Sequence, residues 1–219
     1  MKPVSTIQKK TPEKFYDQFY EKLLNDFVGQ NQRMESAIHF ACSELSAAQS
    51  STILDLGFGL GWSSFEFSRA MPVAKIHGYD LSSKLTYLAR DVFGDNPRVK
   101  FDCQDLTDTK WISNHAIKYD ACVMLDVYEH IQKDYRAVFH ESLKKILADD
   151  AILIMSCPTP AHQEYLRNEN PKGLQPVDED VTFQDLLTLA ISLNGEITRL
   201  QHVSIWMTND YLQVTISRK

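Results

Sequence analysis

Aromatic and apolar residues return at every fourth position near the start of the chain. Phe15, Phe19, Leu23 and Phe27 fall on one helical face, with Pro12 suited to that helix's first turn. A second helix is predicted from Gln32 to about Ala48, turning Met34, Ala37, Ile38, Ala41 and Leu45 inward. From Thr52 the period changes. Short apolar runs at Thr52 to Leu56, Lys75 to Tyr79, Arg98 to Cys103, Tyr119 to Leu125 and Ala151 to Ser156 read as strands. Helical stretches at Trp62 to Ala70, Lys84 to Val92 and Tyr135 to Leu147 fall between them. Alternation of this kind predicts an α/β fold, because parallel strands need crossovers and helices supply them. Ligands of such folds sit at the carboxyl ends of the strands.

The rhythm breaks after Pro158. Pro158, Pro160, Pro171, Gly173 and Pro176 crowd the connection up to Val181, which is long enough to predict a lid over a site rather than a plain turn. A helix at Phe183 to Leu193 follows. The last two runs, Glu196 to Ile205 and Tyr211 to Ser217, are separated by only five residues, a link that permits an antiparallel hairpin and not a parallel crossover.

Composition narrows the function classes without naming one. The 219 residues are 43% hydrophobic, enough for one core, and four scattered cysteines suggest reduced thiols rather than disulfides or a metal knuckle. A formal charge of −6 with no basic block argues against nucleic acid as a partner. No run approaches the roughly 20 apolar residues of a membrane span, and the first twelve lack the apolar stretch of a secretory signal; the expectation is a cytoplasmic protein. Oligomeric state is not legible.

Candidate chemistry begins at Asp55-Leu56-Gly57-Phe58-Gly59-Leu60-Gly61, where a strand enters a helix through three alternating glycines. Glycine belongs where a backbone turns tightly or a ligand approaches without a Cβ in its way. Asp80 follows at the end of the next strand, placed either to accept the two hydroxyls of a ribose or to cap the following helix.

These residues resemble the first two motifs of the class I S-adenosylmethionine-dependent methyltransferases. Cys103-Gln104-Asp105-Leu106 is similar to the family's third motif, and Tyr119 to Asp126 to its fourth strand. The resemblance implies a Rossmann-like fold with a seven-stranded, mostly parallel sheet, a C-terminal antiparallel hairpin and helices on both faces. It implies a single domain with residues 51–219 binding S-adenosylmethionine and residues 1–50 forming a tail and capping helices. Asp55, Gly57, Gly59 and Gly61 would form the cofactor loop, Asp80 would hold the ribose, and Leu81, Gln104, Asp105 and Leu106 would surround the adenine. Leu125 would approach the sulfonium end. A dinucleotide dehydrogenase would need its third glycine one residue later. One departure stands out: where the family has a Pro-Gly-Gly turn, this chain has Ala148-Asp149-Asp150-Ala151.

Asp126-Val127-Tyr128-Glu129-His130 most resembles a segment of the ubiquinone-biosynthesis O-methyltransferases. If a helix begins near Asp126, spacings of three and four place Asp126, Glu129 and His130 on one face, able to hold magnesium, manganese or zinc. His130 could instead act as a base, or serve the structure alone. His162, past the fifth strand, is either a base, a substrate contact or a ligand facing the same pocket with Tyr165, or a surface histidine. Trp206, Tyr211 and His202 read as packing. Arg33 resembles an arginine that reaches the cofactor's carboxylate in the ubiquinone group, with a solvated helix arginine as the alternative. The expected acceptor is a small molecule methylated at oxygen, or else nitrogen. A regulatory cofactor-binding module and an RNA 2′-O-methyltransferase are the rival readings.

Overall fold

The computed structural model describes residues 12–108 and 118–219; the expected N-terminal tail lies mostly outside them. Three helices come first: α1 (Pro12–Tyr16), α2 (Tyr20–Val28) and α3 (Gln32–Ala47). The single amphipathic helix expected from Phe15 to Phe27 is therefore two. A turn at Asp17 and Gln18 breaks it, so that Asp17 reaches a distant partner described below. Asn31 begins α3, its side-chain oxygen accepting from the N–H groups of Arg33 and Met34.

Beyond them run β1 (Thr52–Leu56), α4 (Trp62–Ala70), β2 (Lys75–Asp80), α5 (Ser83–Phe93), β3 (Val99–Cys103) and β4 (Tyr119–Leu125). Then come α6 (Lys133–Ile146), β5 (Leu147–Pro158), α7 (Pro160–Glu169), α8 (Phe183–Ser192), β6 (Gly195–Val203) and β7 (Tyr211–Arg218). Seven strands form one sheet in the order β3-β2-β1-β4-β5-β7-β6. The first five are parallel, and β7 runs antiparallel to both its neighbours, as the short final link requires.

Adjacent residues of a strand point to opposite faces, so a parallel sheet covered on both sides needs continuous apolar runs. Ile53 joins Phe67, Ile76 and Phe101 and the helices α3 and α4 on one face. Leu54 and Leu56 join Phe139, Leu143, Leu186 and Leu189 of α6 and α8 on the other.

Two expected boundaries move. β5 begins at Leu147, directly after α6, and its pairing with β4 slips between Tyr119↔Leu147 and Ala121↔Ile152. Arg218 of β7 explains this: its Nη1 donates to the carbonyls of Leu147 at 2.6 Å and Ala148 at 2.7 Å, and its Nε to Leu193. The guanidinium satisfies carbonyls that a helix end leaves open. The connection after Pro158 is also not all lid, since α7 occupies residues 160 to 169. Thr159 caps it, accepting from His162 N–H, and Pro160 stands in its first turn.

Candidate functional site

All three loop glycines adopt positive φ: +71° at Gly57, +58° at Gly59 and +88° at Gly61. Such angles strain any L side chain. Space is short as well, because a Cβ on Gly57 would lie 2.4 Å from Val127 Cγ2, and one on Gly61 would lie 2.9 Å from the Phe101 ring. Asp55 sits buried behind the loop, its Oδ2 accepting the hydroxyls of Ser63 and Ser64, both at 2.6 Å. It thereby fastens the first turn of α4 to β1. Burial pushes its carboxyl up to about 6 against those two hydrogen bonds.

Asp80 closes the loop from β2. Its Oδ2 accepts the Gly59 N–H and its Oδ1 the Ser82 N–H, each at 2.9 Å, and burial pushes its carboxyl up to about 6 in spite of them. The cap of α5 is Ser82, whose Oγ accepts from Leu85 N–H at 3.1 Å. Asp80 is therefore free of the capping role and presents its carboxyl at the carboxyl edge of β2. Gln104 N–H donates to Asp80 O at 2.8 Å. Asp105 is exposed and folds its own turn, Oδ1 accepting from the N–H and hydroxyl of Thr107. Leu106 packs on the core, Leu125 is buried at the end of β4, and the Leu81 carbonyl accepts from the Cys103 thiol at 3.5 Å.

The N-terminal helices lie across this loop. Ser82 Oγ donates to Asp17 Oδ1 at 2.5 Å, and Leu23 Cδ1 lies 3.4 Å from where a Gly59 Cβ would be. Phe27 meets Trp62 edge-on, with ring centres 5.5 Å apart.

Asp126, Glu129 and His130 do not form the helical face expected of them. Asp126 takes a left-handed conformation, φ +57°, and only a short 3₁₀ turn (Tyr128–His130) follows. The Asp126 carboxylate pairs with Arg33 and accepts from Ser156 Oγ at 2.8 Å. Arg33 is thus a half-buried, paired cation rather than a solvated one. His130 spends Nδ1 on the Val177 carbonyl at 2.7 Å, with Asp178 Oδ1 at 3.1 Å, and its Nε2 stands 3.9 Å from Glu129 Oε1. Among the described residues no group of three or more His, Cys, Asp and Glu side chains could hold a metal ion. The donor set does not fit a divalent ion, because the Asp126 carboxylate is committed to Arg33 and Ser156.

Glu129 is 2% exposed and its Oε2 has no hydrogen-bond partner. Burial pushes its carboxyl up, opposed by His130. For His130 burial acts downward, but Glu129 and Asp178 outweigh it and the imidazole is held above its ordinary value. Tyr16 lies beside this cluster, its ring 6.4 Å from that of His130. Burial first, then Glu129, Asp80 and Asp178, raise its phenol far above the usual tyrosine range.

His162 shares the neighbour Arg33 with that cluster. It is buried against the closing hairpin, stacked on Trp206 with ring centres 5.8 Å apart and 5.5 Å from Tyr211. Its Nδ1, 4.0 Å from Asp210 Oδ2, has no hydrogen-bond partner. Burial lowers its pKa, with Asp210 opposing and Arg33 adding to the fall, so the ring is neutral at neutral pH. Tyr165 lies at its side, partly exposed.

Residues 53–150 match a family model described as a methyltransferase domain. Methyltransferase domain is what that segment is. A malonyl-[acyl-carrier protein] O-methyltransferase of Halalkalibacterium halodurans is 29% identical over 104 residues, which are 48% of this chain and 38% of that protein. The chain therefore spans less than half the length of that curated relative. Among solved structures, magnesium protoporphyrin IX methyltransferase from Synechocystis with bound S-adenosylhomocysteine superposes with a TM-score of 0.72 at 18% identity, covering 94% of this chain and 98% of that one. A TehB-like S-adenosylmethionine-dependent methyltransferase from Corynebacterium glutamicum gives 0.67 at 16% identity, covering 93% and 98%. The whole sheet is the class I methyltransferase fold.

S-adenosylmethionine is the cofactor of this domain type, and the positive-φ glycines leave room for it beside the loop. The segment brings a Cβ-free backbone and the buried Asp80 carboxyl to the carboxyl edges of β1 and β2, where folds of this kind hold their ligands. Four site residues carry no role in the sequence analysis: Ser63, Ser64, Tyr16 and Asp178. Ser63 and Ser64 carry a signal, two hydroxyls one turn beyond the loop. Tyr16 and Asp178 carry none, because their places depend on the turn at Asp17 and on the path of residues 174–182.

Proposed function

We propose that the protein transfers the methyl group of S-adenosylmethionine to an oxygen of a small-molecule acceptor, with His130 removing the acceptor's proton. One observation carries the reading: Tyr16 packs beside His130 while its neighbour Asp17 accepts from Ser82, next to Asp80. Consecutive residues of one cap thus reach the imidazole cluster and the turn that follows Asp80.

The cofactor, when bound, supplies an electrophilic methyl group on a sulfonium. Gly57 and Gly59 let the backbone lie beside its methionyl portion, and Gly61 opens α4. Asp80 accepts from the ribose hydroxyls, Asp105 uses its second oxygen for the adenine amino group, and Leu81, Gln104 and Leu106 line the base. Leu125 approaches the sulfur. Arg33 stands within the same corner, where the cofactor's carboxylate is a second anion competing with Asp126. Catalysis rests on orientation, which aligned contact can reward by several powers of ten, and on a base of suitable pKa. A formal charge of −6 without a basic block in the sequence supports a small-molecule acceptor over nucleic acid.

Isothermal titration with S-adenosylmethionine and S-adenosylhomocysteine tests the first half. Binding that Asp80→Ala removes supports it; no binding of either ligand sinks it. Mass spectrometry of a phenol, catechol and alcohol panel incubated with labelled cofactor then tests transfer to oxygen.

A further inference from the structure

We propose that Asp178 and His130 form a proton-accepting dyad, and that the acceptor is accordingly a hydroxyl or an amine that must lose a proton on methylation, not a carboxylate. The acceptor class rests on the methyl-transfer reading above; the dyad does not.

The imidazole is held by one nitrogen only. His130 Nδ1 donates to Val177 O at 2.7 Å with Asp178 Oδ1 at 3.1 Å, so the ring hydrogen belongs on Nδ1 and the lone pair on Nε2. Nε2 faces Glu129 Oε1 across 3.9 Å, too long for a hydrogen bond. Among the described residues no hydrogen bond holds that nitrogen.

Every charge around the ring favours its proton-loaded form. From its own turn Glu129 faces Nε2, from the 174–182 segment Asp178 faces Nδ1, and from α1 the neutral phenol of Tyr16 packs beside it. Arg33 of α3 faces Glu129 and offsets part of its charge. A newly formed imidazolium would lie between two carboxylates, one of them with a buried, unpartnered oxygen. The same surroundings repel an anionic acceptor. They also leave Glu129 Oε2 needing a hydrogen that a carboxylate cannot bring, whereas an O–H or N–H group can.

Asp178 is placed firmly enough to serve. Its Oδ2 accepts from Gln175 N–H at 2.6 Å, Glu179 N–H donates to Glu129 O at 2.9 Å, and Arg167 grips Asp180 with both terminal nitrogens. In the step, the acceptor's O–H or N–H bond breaks and its proton passes to Nε2. The freed electron pair forms the bond to the methyl carbon, and the pair of the breaking C–S bond stays on sulfur, leaving a neutral thioether. Asp178 touches neither substrate nor cofactor and is a positioning residue.

The test follows the ring protons of His130 by NMR in the full chain, assigned by their loss in His130→Gln. The expected result is a titration above that of an ordinary histidine, moved to lower pH in both Asp178→Asn and Asp178→Ala. A midpoint unchanged in both overturns the dyad. With S-adenosylhomocysteine bound, phenol, catechol and an alkylamine are added in turn, then benzoate and acetate. At least one donor should perturb the His130 signals and the two acids should not. No response to any donor, or a larger response to either acid, overturns the acceptor class. Failure of S-adenosylhomocysteine to bind would instead overturn the methyl-transfer reading and leave the titration of the dyad standing.

Discussion

Ser82 Oγ donates to Asp17 Oδ1 at 2.5 Å across 65 positions of sequence. The same hydroxyl oxygen accepts from Leu85 N–H and caps α5, so one side chain joins the N-terminal cap to the turn that carries Asp80. Its two jobs can be separated. Ser82→Ala removes both and should lower stability by about 1 kcal/mol through the lost cap. Asp17→Ala removes only the latch: it should leave the thermal midpoint nearly unchanged while weakening S-adenosylhomocysteine binding by roughly tenfold, the size of a charge-assisted hydrogen bond. Calorimetry and thermal melts of the two variants check this. Equal affinity in wild type and Asp17→Ala would remove the latch.

Asp55 is a carboxylate kept where its charge is costly. Its pKa rises from 3.8 to about 6, so the native state holds the proton more tightly than the unfolded chain does. The sign follows directly: its favourable contribution is complete below pH 3.8 and is lost as pH climbs through about 6. At neutral pH the ionised group then costs the fold on the order of 3 kcal/mol. Asp55→Asn should therefore match the wild type near pH 4 and gain stability relative to it as pH rises to 7. Urea titrations at several pH values measure the difference, and a gain that does not grow with pH counts against this account.

Asp80 obeys the same sign in a functional setting. Its carboxyl also sits near 6, and only the ionised form can accept from two ribose hydroxyls. Affinity for S-adenosylhomocysteine should fall as pH drops below about 6, by up to about tenfold per unit. In Asp80→Asn the affinity is already low and this pH dependence is gone.

Gly57 faces two separate obstacles to a side chain, its φ of +71° and Val127 Cγ2 at 2.4 Å from a new Cβ. Gly57→Ala should cost on the order of 1–3 kcal/mol and abolish cofactor binding. Adding Val127→Ala relieves the clash but not the backbone strain. Partial recovery of the melting midpoint in the double variant is the expected outcome, and full recovery would mean that φ is not the constraint.

Because Asp126 is committed to Arg33 and Ser156, chelation should change neither the melting midpoint nor cofactor affinity. Loss of either on treatment with EDTA, restored by magnesium or zinc, would reinstate the ion.

The sheet and the cofactor loop were legible because their rules are local. Only glycine tolerates three positive φ values in five residues, and a five-residue link settles the direction of the last strand. α7 was not read as a helix, although Thr159 before Pro160 is a helix start, because the surrounding prolines suggest a loop. The start of β5 was not legible, because Arg218, 71 positions away from Leu147, decides it. Nor was the geometry at Asp126. A helix there would satisfy its carboxylate locally, but Arg33 and Ser156 offer partners that no spacing reveals, and they hold the residue in a conformation rare outside glycine.

β6 touches the rest of the sheet only through β7, its later neighbour in sequence. It therefore joins the sheet by way of the pairing of β7 with β5, which spans 53 to 65 positions along the chain. Contacts of such separation are slow to form, because loop closure must precede any reward. Refolding should accordingly end on this corner, with the Arg218 clasp on Leu147 and Ala148 among the last bonds made.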